Sequence, residues 1–265
     1  MLLCPHMPTA LITGASSGIG RDLALESARA GYDIIAVARN EAPLTALAET
    51  IQSTTPERTV RILRADLMDP AAPLRILDFT SFTPIDLLIN NAGIGMRGFF
   101  HEMDTAAQMD MLQLNVNALT HLTRLYLPLM IERRRGHILN VASTAAFQPG
   151  PLMSVYYATK AYVLSLSEAL HNEAREFGVV VTALCPGPTA TEFGNRAQME
   201  GTKLFQGPDI MTSAEVARLG FEGMKAGKSC VIPGTKNALI ATAVRFVPRQ
   251  TAAAMARSMQ EKKPA

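Results

Sequence analysis

Seven short apolar runs alternate with amphipathic segments along this 265-residue chain. The runs (10–13, 33–38, 59–64, 87–90, 136–142, 179–184 and 230–232) have strand length and are almost continuously apolar. Strands buried on both faces read this way, whereas strands with one wet face alternate. Between the runs, 18–30, 42–53, 105–133, 154–177 and 213–226 carry helical spacing. Strand–helix alternation of this kind needs right-handed crossovers and predicts a single α/β unit on a doubly wound parallel sheet. Hydrophobic residues make up 48% of the chain, enough to cover such a sheet on both sides.

Other classes are disfavoured by composition. A net charge of +2 is too mild to point to nucleic acid, and no basic run is long enough to change that. Cys4, Cys185 and Cys230 are too few and too scattered for a disulfide framework or a zinc site, which suits a cytoplasmic protein. His101, His121, His137 and His171 lack ligand spacing, so no metal is expected. Residues 1–8 lack a basic, apolar leader, and the uncharged stretch 136–159 contains Pro149, Pro151 and Gln148, so no signal peptide or membrane span is read.

The first apolar run leads into Thr13-Gly14-Ala15-Ser16-Ser17-Gly18-Ile19-Gly20. Small residues between a strand and a helix let backbone N–H groups approach a pyrophosphate, and the helix N-terminus favours its charge. Gly14, Ser16, Ser17, Gly18, Ile19 and Gly20 are therefore candidate cofactor contacts; the alternative is a plain tight turn. The second run ends Val37-Ala38-Arg39-Asn40, where a binder of NAD usually carries an acid for the ribose 2′-hydroxyl. Arg39 suits a 2′-phosphate instead and favours NADP(H) over NAD(H), unless it is a solvated surface group. Asp66 and Leu67 close the third run, where the carboxylate suits an adenine amino group or caps the next helix. Asn91, Ala92 and Gly93 follow the fourth run, as a cofactor-side passage or an ordinary turn.

Tyr156 and Lys160 stand four residues apart, on one face of the predicted 154–177 helix, and Ser143 lies at the end of the fifth run. A phenol, an ammonium and a hydroxyl together can move a proton to or from a carbonyl oxygen. Free tyrosine ionises near pH 10, so only about 0.1% is phenolate at neutrality, and a nearby positive charge such as Lys160 is expected to raise that fraction.

Thr13–Gly20, Asn90–Gly93, Leu114-Asn115-Val116-Asn117, Ser143, Tyr156-Tyr157-Ala158-Thr159-Lys160 and Pro186-Gly187-Pro188-Thr189, in this order, resemble the classical short-chain dehydrogenase/reductase family over nearly the whole chain. The resemblance implies a Rossmann-type seven-stranded parallel sheet in the order 3-2-1-4-5-6-7 with helices on both faces. It implies Asn115, Ser143, Tyr156 and Lys160 as catalytic residues. Tyr156 would be the acid/base, Ser143 would hold the substrate oxygen, and Lys160 would bind the nicotinamide ribose. Asn115 would hold a water linking Lys160 to solvent. It also implies that Pro186, Gly187, Thr189 and Thr191 orient the nicotinamide, and that homodimers or homotetramers form through the helices near 105–133 and 154–177.

Ala145, Phe147 and Met153, with Ser143 and Tyr156, are the candidate substrate contacts. Ile94, Gly95 and Met96 would line the far wall, and Phe193, Met199, Leu204 and Phe205 fall in 186–212, read as a substrate lid or a surface excursion. This apolar, methionine-rich set favours a ketone, aldehyde or 3-oxoacyl substrate over a sugar. An NADP(H)-binding sensor without turnover is the alternative, disfavoured by the intact tetrad. The extension 237–265 mixes apolar and basic residues, including Lys262 and Lys263. It reads as a helix broken near Pro248 and packed at a subunit interface or over the pocket, or as a lipid-touching segment; membrane contact is not expected.

Overall fold

The computed structural model describes residues 7–199, 201–205 and 210–261; of Phe205 only the backbone is described. Cys4, Gly207, Pro208, Lys262, Lys263 and the 1–6 start lie outside the described residues.

In chain order the strands are β1 (Thr9–Thr13), β2 (Asp33–Ala38), β3 (Val60–Arg64), β4 (Leu87–Asn90), β5 (Gly136–Val141), β6 (Val179–Leu184), β7 (Thr189–Ala190), β8 (Met211–Thr212) and β9 (Cys230–Val231). Seven of them form one sheet in the order β3-β2-β1-β4-β5-β6-β9, and every pairing is parallel. This is the expected 3-2-1-4-5-6-7 order, with β9 as its seventh strand. The short strands β7 and β8 pair with each other alone, inside the segment read as irregular.

The helices are α1 (Gly18–Arg29), α2 (Glu41–Thr54), α3 (Ala72–Phe79), α4 (Thr105–Leu112), α5 (Leu119–Glu132), α6 (Ser154–Ala174), α7 (Phe193–Arg196), α8 (Ser213–Lys225), α9 (Thr235–Ala243) and α10 (Arg249–Gln260). The predicted single helix over 105–133 is three pieces: α4, a π-helical stretch Gln113–Ala118, and α5. Helix α3 was not predicted; it is short and begins with Pro73 in its first turn. The tail breaks at Pro248, which stands at the N-cap of α10.

Strand residues alternate between two cores. Ala10, Ile12, Ile34 and Ala36 pack under α1, α2 and α8, through Leu23, Leu44, Leu47 and Phe221 among others. Leu11, Ile35, Val37 and Leu88 pack on the other face against α3 and α5, through Ile76, Leu122 and Tyr126. Each fully buried leucine or isoleucine contributes about 1.5–3 kcal/mol.

A buried polar chain crosses the second face. Asn90 Nδ2 donates to Thr123 Oγ1 (3.0 Å) and Asn140 Oδ1 (2.9 Å), and Asn140 Nδ2 donates to Ser167 Oγ (2.9 Å). It joins β4 and β5 to α5 and α6, the helix that carries Tyr156. Asn140→Ala leaves buried groups without partners, and should destabilise the protein by about 1–3 kcal/mol, read as a lower urea midpoint at unchanged slope.

Candidate active site

The turn after β1 and the loop after β4 are locked together. Thr13 Oγ1 accepts from the N–H groups of Asn91 (3.1 Å) and Ala92 (3.2 Å). Asn91 Nδ2 returns bonds to the carbonyls of Thr13 and Gly14, each at 3.1 Å. Gly14 and Gly18 have φ of +65° and +53°, the left-handed region where a side chain is strained. A Cβ on Gly18 would lie 3.0 Å from Thr191 Cγ2, so the loops after β1 and β6 face each other closely. The N-cap of α1, Ser17, makes no side-chain capping bond, which leaves first-turn N–H groups to a ligand.

Arg39 is exposed directly after β2, and no bond or ion pair engages its side chain among the described residues. Asp66 accepts from Met68 N–H (3.0 Å) and does not cap α3, whose N-cap is Ala71. Leu67 is buried in the second core. Thr189 is buried with its hydroxyl donating to Gly187 O (2.9 Å), and Thr191 Oγ1 accepts from Phe193 N–H (3.3 Å). Glycines in left-handed backbone and an uncapped helix start, set at the edge where the strands end, fit a dinucleotide.

The same sheet edge carries the candidate catalytic residues. Ser143 follows β5; its Oγ accepts from Ala145 N–H (3.1 Å) and donates to Pro186 O (3.4 Å). Tyr156 is buried on the first turn of α6, and hydrogen bonding to Ser143 opposes the upward pull of burial on its phenol. Burial wins, so the phenol is held above its usual 10. Lys160 Nζ sits 5.8 Å from the Tyr156 ring centre but donates to Val141 O (2.8 Å). Burial lowers Lys160 to about 8. The expected downward shift of Tyr156 by Lys160 is thus not a property of the protein alone: burial acts on both groups and favours their neutral forms.

Asn115 lies inside the π-helical stretch, a local geometry frequent at functional sites. Its amide clamps Ile94, accepting from the N–H (2.9 Å) and donating to the carbonyl (2.8 Å), and also donates to Thr159 Oγ1 (3.1 Å). A Cβ on Gly93 would lie 3.2 Å from Asn115 Oδ1 and 3.5 Å from Lys160 Nζ, so the backbone passes directly over this pair.

Tyr156, Ala145, Met153 and Met199 share one apolar cluster, joined by Ile94, Met96, Phe193 and Leu204. The Phe193 ring stands 5.4 Å from that of Tyr156, and a Cβ on Gly95 would press on Phe193, Tyr156 and Met153. Phe147 is not brought here; it packs in a separate cluster with Leu119, Val163 and Cys185. Met111 of α4 and Ala197 join the site cluster without a sequence signal, because neither falls in a motif. Tyr157 belongs to the same cluster, its ring 6.1 Å from that of Tyr156; it packs over Gly150 and accepts at its hydroxyl from Gln260 Nε2 (2.9 Å) at the end of α10.

A family model described as short chain dehydrogenase matches residues 8–200. A very-long-chain 3-oxoacyl-CoA reductase-like protein of Arabidopsis thaliana is 35% identical over 217 residues, 80% of this chain and 70% of that protein. Mouse 17-beta-hydroxysteroid dehydrogenase type 3 is 35% identical over 185 residues, which covers 69% of this chain and 60% of that protein. A short-chain dehydrogenase from Sphingobium yanoikuyae, solved in complex with NADPH, superposes with a TM-score of 0.82 at 34% identity, covering 91% of this chain and 93% of that one.

The lowered Lys160 value has a stability consequence. Below about 8 both states carry the charge, and the folded state bears its full desolvation cost. Between about 8 and the ordinary 10.5 the unfolded chain holds a proton that the folded chain has released, so stability rises with pH. Lys160→Met should therefore unfold at higher temperature than the native apo-protein at pH 7, and the gap should narrow as pH rises toward 10; calorimetry across that range checks it.

Proposed function

The chain belongs to the short chain dehydrogenase family and is an oxidoreductase of CH–OH/C=O pairs; we propose that it uses NADP(H) and reduces an apolar ketone, aldehyde or 3-oxoacyl substrate. The observation that carries this reading is the single sheet edge that brings the left-handed Gly14 and Gly18 together with Ser143 and the buried Tyr156, whose ring centre lies 5.8 Å from Lys160 Nζ. Arg39 at the end of β2 supports NADP(H): an exposed guanidinium suits a 2′-phosphate, and no acid stands at that strand end. The clustering of Met111, Met153, Met199 and Phe193 about Tyr156 supports an apolar substrate.

A nicotinamide cofactor held at this edge would supply the hydride. Gly14, Ser16, Ser17, Gly18, Ile19 and Gly20 would hold its pyrophosphate side, and Asp66, Leu67, Asn91, Ala92 and Gly93 would line the adenosine and ribose path. Pro186, Gly187, Thr189 and Thr191 would fix the carboxamide end. Ser143 would hold the substrate carbonyl oxygen, and Tyr156, kept protonated by burial, would donate the proton to that oxygen. Lys160, with its depressed value, would return a proton toward Tyr156 and bind the ribose, while Asn115 would anchor the water path behind it. A phenol held protonated suits reduction better than oxidation. Action in the cytoplasm and pairing through α4, α5 and α6, which expose Met109, Leu129 and Tyr162, complete the proposal.

NADPH oxidation followed by absorbance over ketones, aldehydes and 3-oxoacyl thioesters, with NADH in parallel, tests it. Tyr156→Phe should lower kcat by about 10²–10⁴-fold with NADPH binding nearly unchanged. A variant that keeps most of its rate would mean that another group donates the proton. Arg39→Asp should reduce the NADPH/NADH preference by about tenfold or more, as expected for one lost charge-assisted bond; an unchanged ratio removes Arg39 from the phosphate site. Tight NADPH binding with no turnover on any substrate would favour a sensor.

A further inference from the structure

Helix α9 leaves its two largest apolar side chains, Leu239 and Ile240, outward. Its inner side is small or polar: Ala241 is buried, and Asn237 packs on Gly187 while its Nδ2 donates to Pro233 O (2.9 Å). Lys236, Leu239, Ile240 and Ala243, at the spacing of one helical face, are exposed. Leu239 is 70% and Ile240 52% accessible, and Phe246, just past the helix, is 84% accessible. Single exposed apolar residues are ordinary, but three large ones on one short segment are not.

The charge around this face is one-sided. From Gly234 to Gln260 there is no aspartate or glutamate, and Lys236, Arg245 and Arg249 are basic and exposed; Arg257, farther along, pairs with Glu261 (3.4 Å). Arg245 and Arg249 are exposed on either side of Phe246 and Pro248. A second copy of this chain meeting the face about a two-fold axis would set cation against cation, because an isologous contact joins like to like. An anionic lipid surface instead satisfies both features: headgroups take the cations and the acyl boundary takes Leu239, Ile240 and Phe246.

We propose that α9 and the α9–α10 junction form a peripheral docking face for anionic membranes. No helix among the described residues is long and apolar enough to cross a bilayer, so the contact is with the surface. This revises the expectation of no membrane contact; the outward-facing Leu239, Ile240 and Phe246 are what change it. The other end of the extension keeps the role of a cover, since Gln260 bonds Tyr157 and accepts at its carbonyl from Arg97 Nε (2.7 Å). The proposal does not depend on the substrate or on turnover.

Flotation of the full chain with phosphatidylcholine vesicles, with and without phosphatidylserine, tests it. The protein should float with the anionic vesicles, much less with neutral ones, and be released by salt. Arg245→Gln/Arg249→Gln should weaken binding on the order of twenty-five-fold, about fivefold for each cation. Leu239→Ser/Phe246→Ser should abolish it, while Leu74→Ser, at an exposed leucine of α3, should leave it intact. No flotation, equal flotation with both vesicle types, or equal loss in the Leu74→Ser control overturns the proposal. A Phe246→Ser change in oligomer size by sedimentation velocity, without vesicle binding, would assign the face to a second copy instead.

Discussion

Because every strand of the main sheet runs the same way, each delivers its following loop to the same edge. The glycine turn after β1, Arg39 after β2, Asp66 after β3, Asn91 after β4, Ser143 after β5 and Pro186 after β6 are distant in sequence and meet for this reason alone. Direction brings them near; hydrogen bonds fix the spacing. Thr13 and Asn91 hold the first and fourth loops in register, and Thr144 N–H to Pro186 O (2.9 Å) does the same for the fifth and sixth. The Asn90–Asn140–Ser167 chain then ties the two central strands to α6, so the tyrosine helix is referenced to the strands that carry its partners.

Burial sets the electrostatics of the site. Tyr156 and Lys160 are enclosed together, and removal from water works against charge on each. Their shifts run in opposite directions, the phenol upward and the ammonium down to about 8. From ordinary values of 10.0 and 10.5 the two therefore move apart, so burial keeps the proton on the phenol and makes the ammonium the readier donor, which sets the direction of resupply from Lys160 to Tyr156. Lys160 bonded to Val141 O and Asn115 bonded to Ile94 hold their groups in place before any ligand arrives.

Much of this was legible in the sequence, and the rest was hidden for definite reasons. Fully buried strands advertise themselves because both faces must be apolar, so all seven sheet strands fall within a residue or so of their predicted limits. The two-residue strands β7 and β8 escape, since a single ladder of two pairs leaves no periodicity to read. The π-helical stretch around Asn115 escapes because its inserted register changes backbone bonding and not residue type. Tyr156 stood apart from Tyr157 by its spacing to Lys160, yet nothing local predicted that Tyr157 would find Gln260, 103 residues away. Phe147 seemed equivalent to Ala145 by position, but the 3₁₀ turn Thr144–Phe147 sends its ring to another cluster. Cys185 and Cys230, scattered in sequence, come within 3.8 Å because β6 and β9 are neighbours.

The C-terminal extension shows a further limit of pattern reading. Periodicity reports that a helix has an apolar face, and the usual inference is that this face is the buried one. In α9 the space beneath the helix is narrow: a Cβ on Gly187 would run into Asn237, so only small or flat side chains fit on the inner side. Asn237, Ala238 and Ala241 take that side, and the larger Leu239 and Ile240 are left outside. Close approach to the segment at Gly187 thus dictates which residues are inward, and the exposure of Leu239 and Ile240 follows as its geometric consequence.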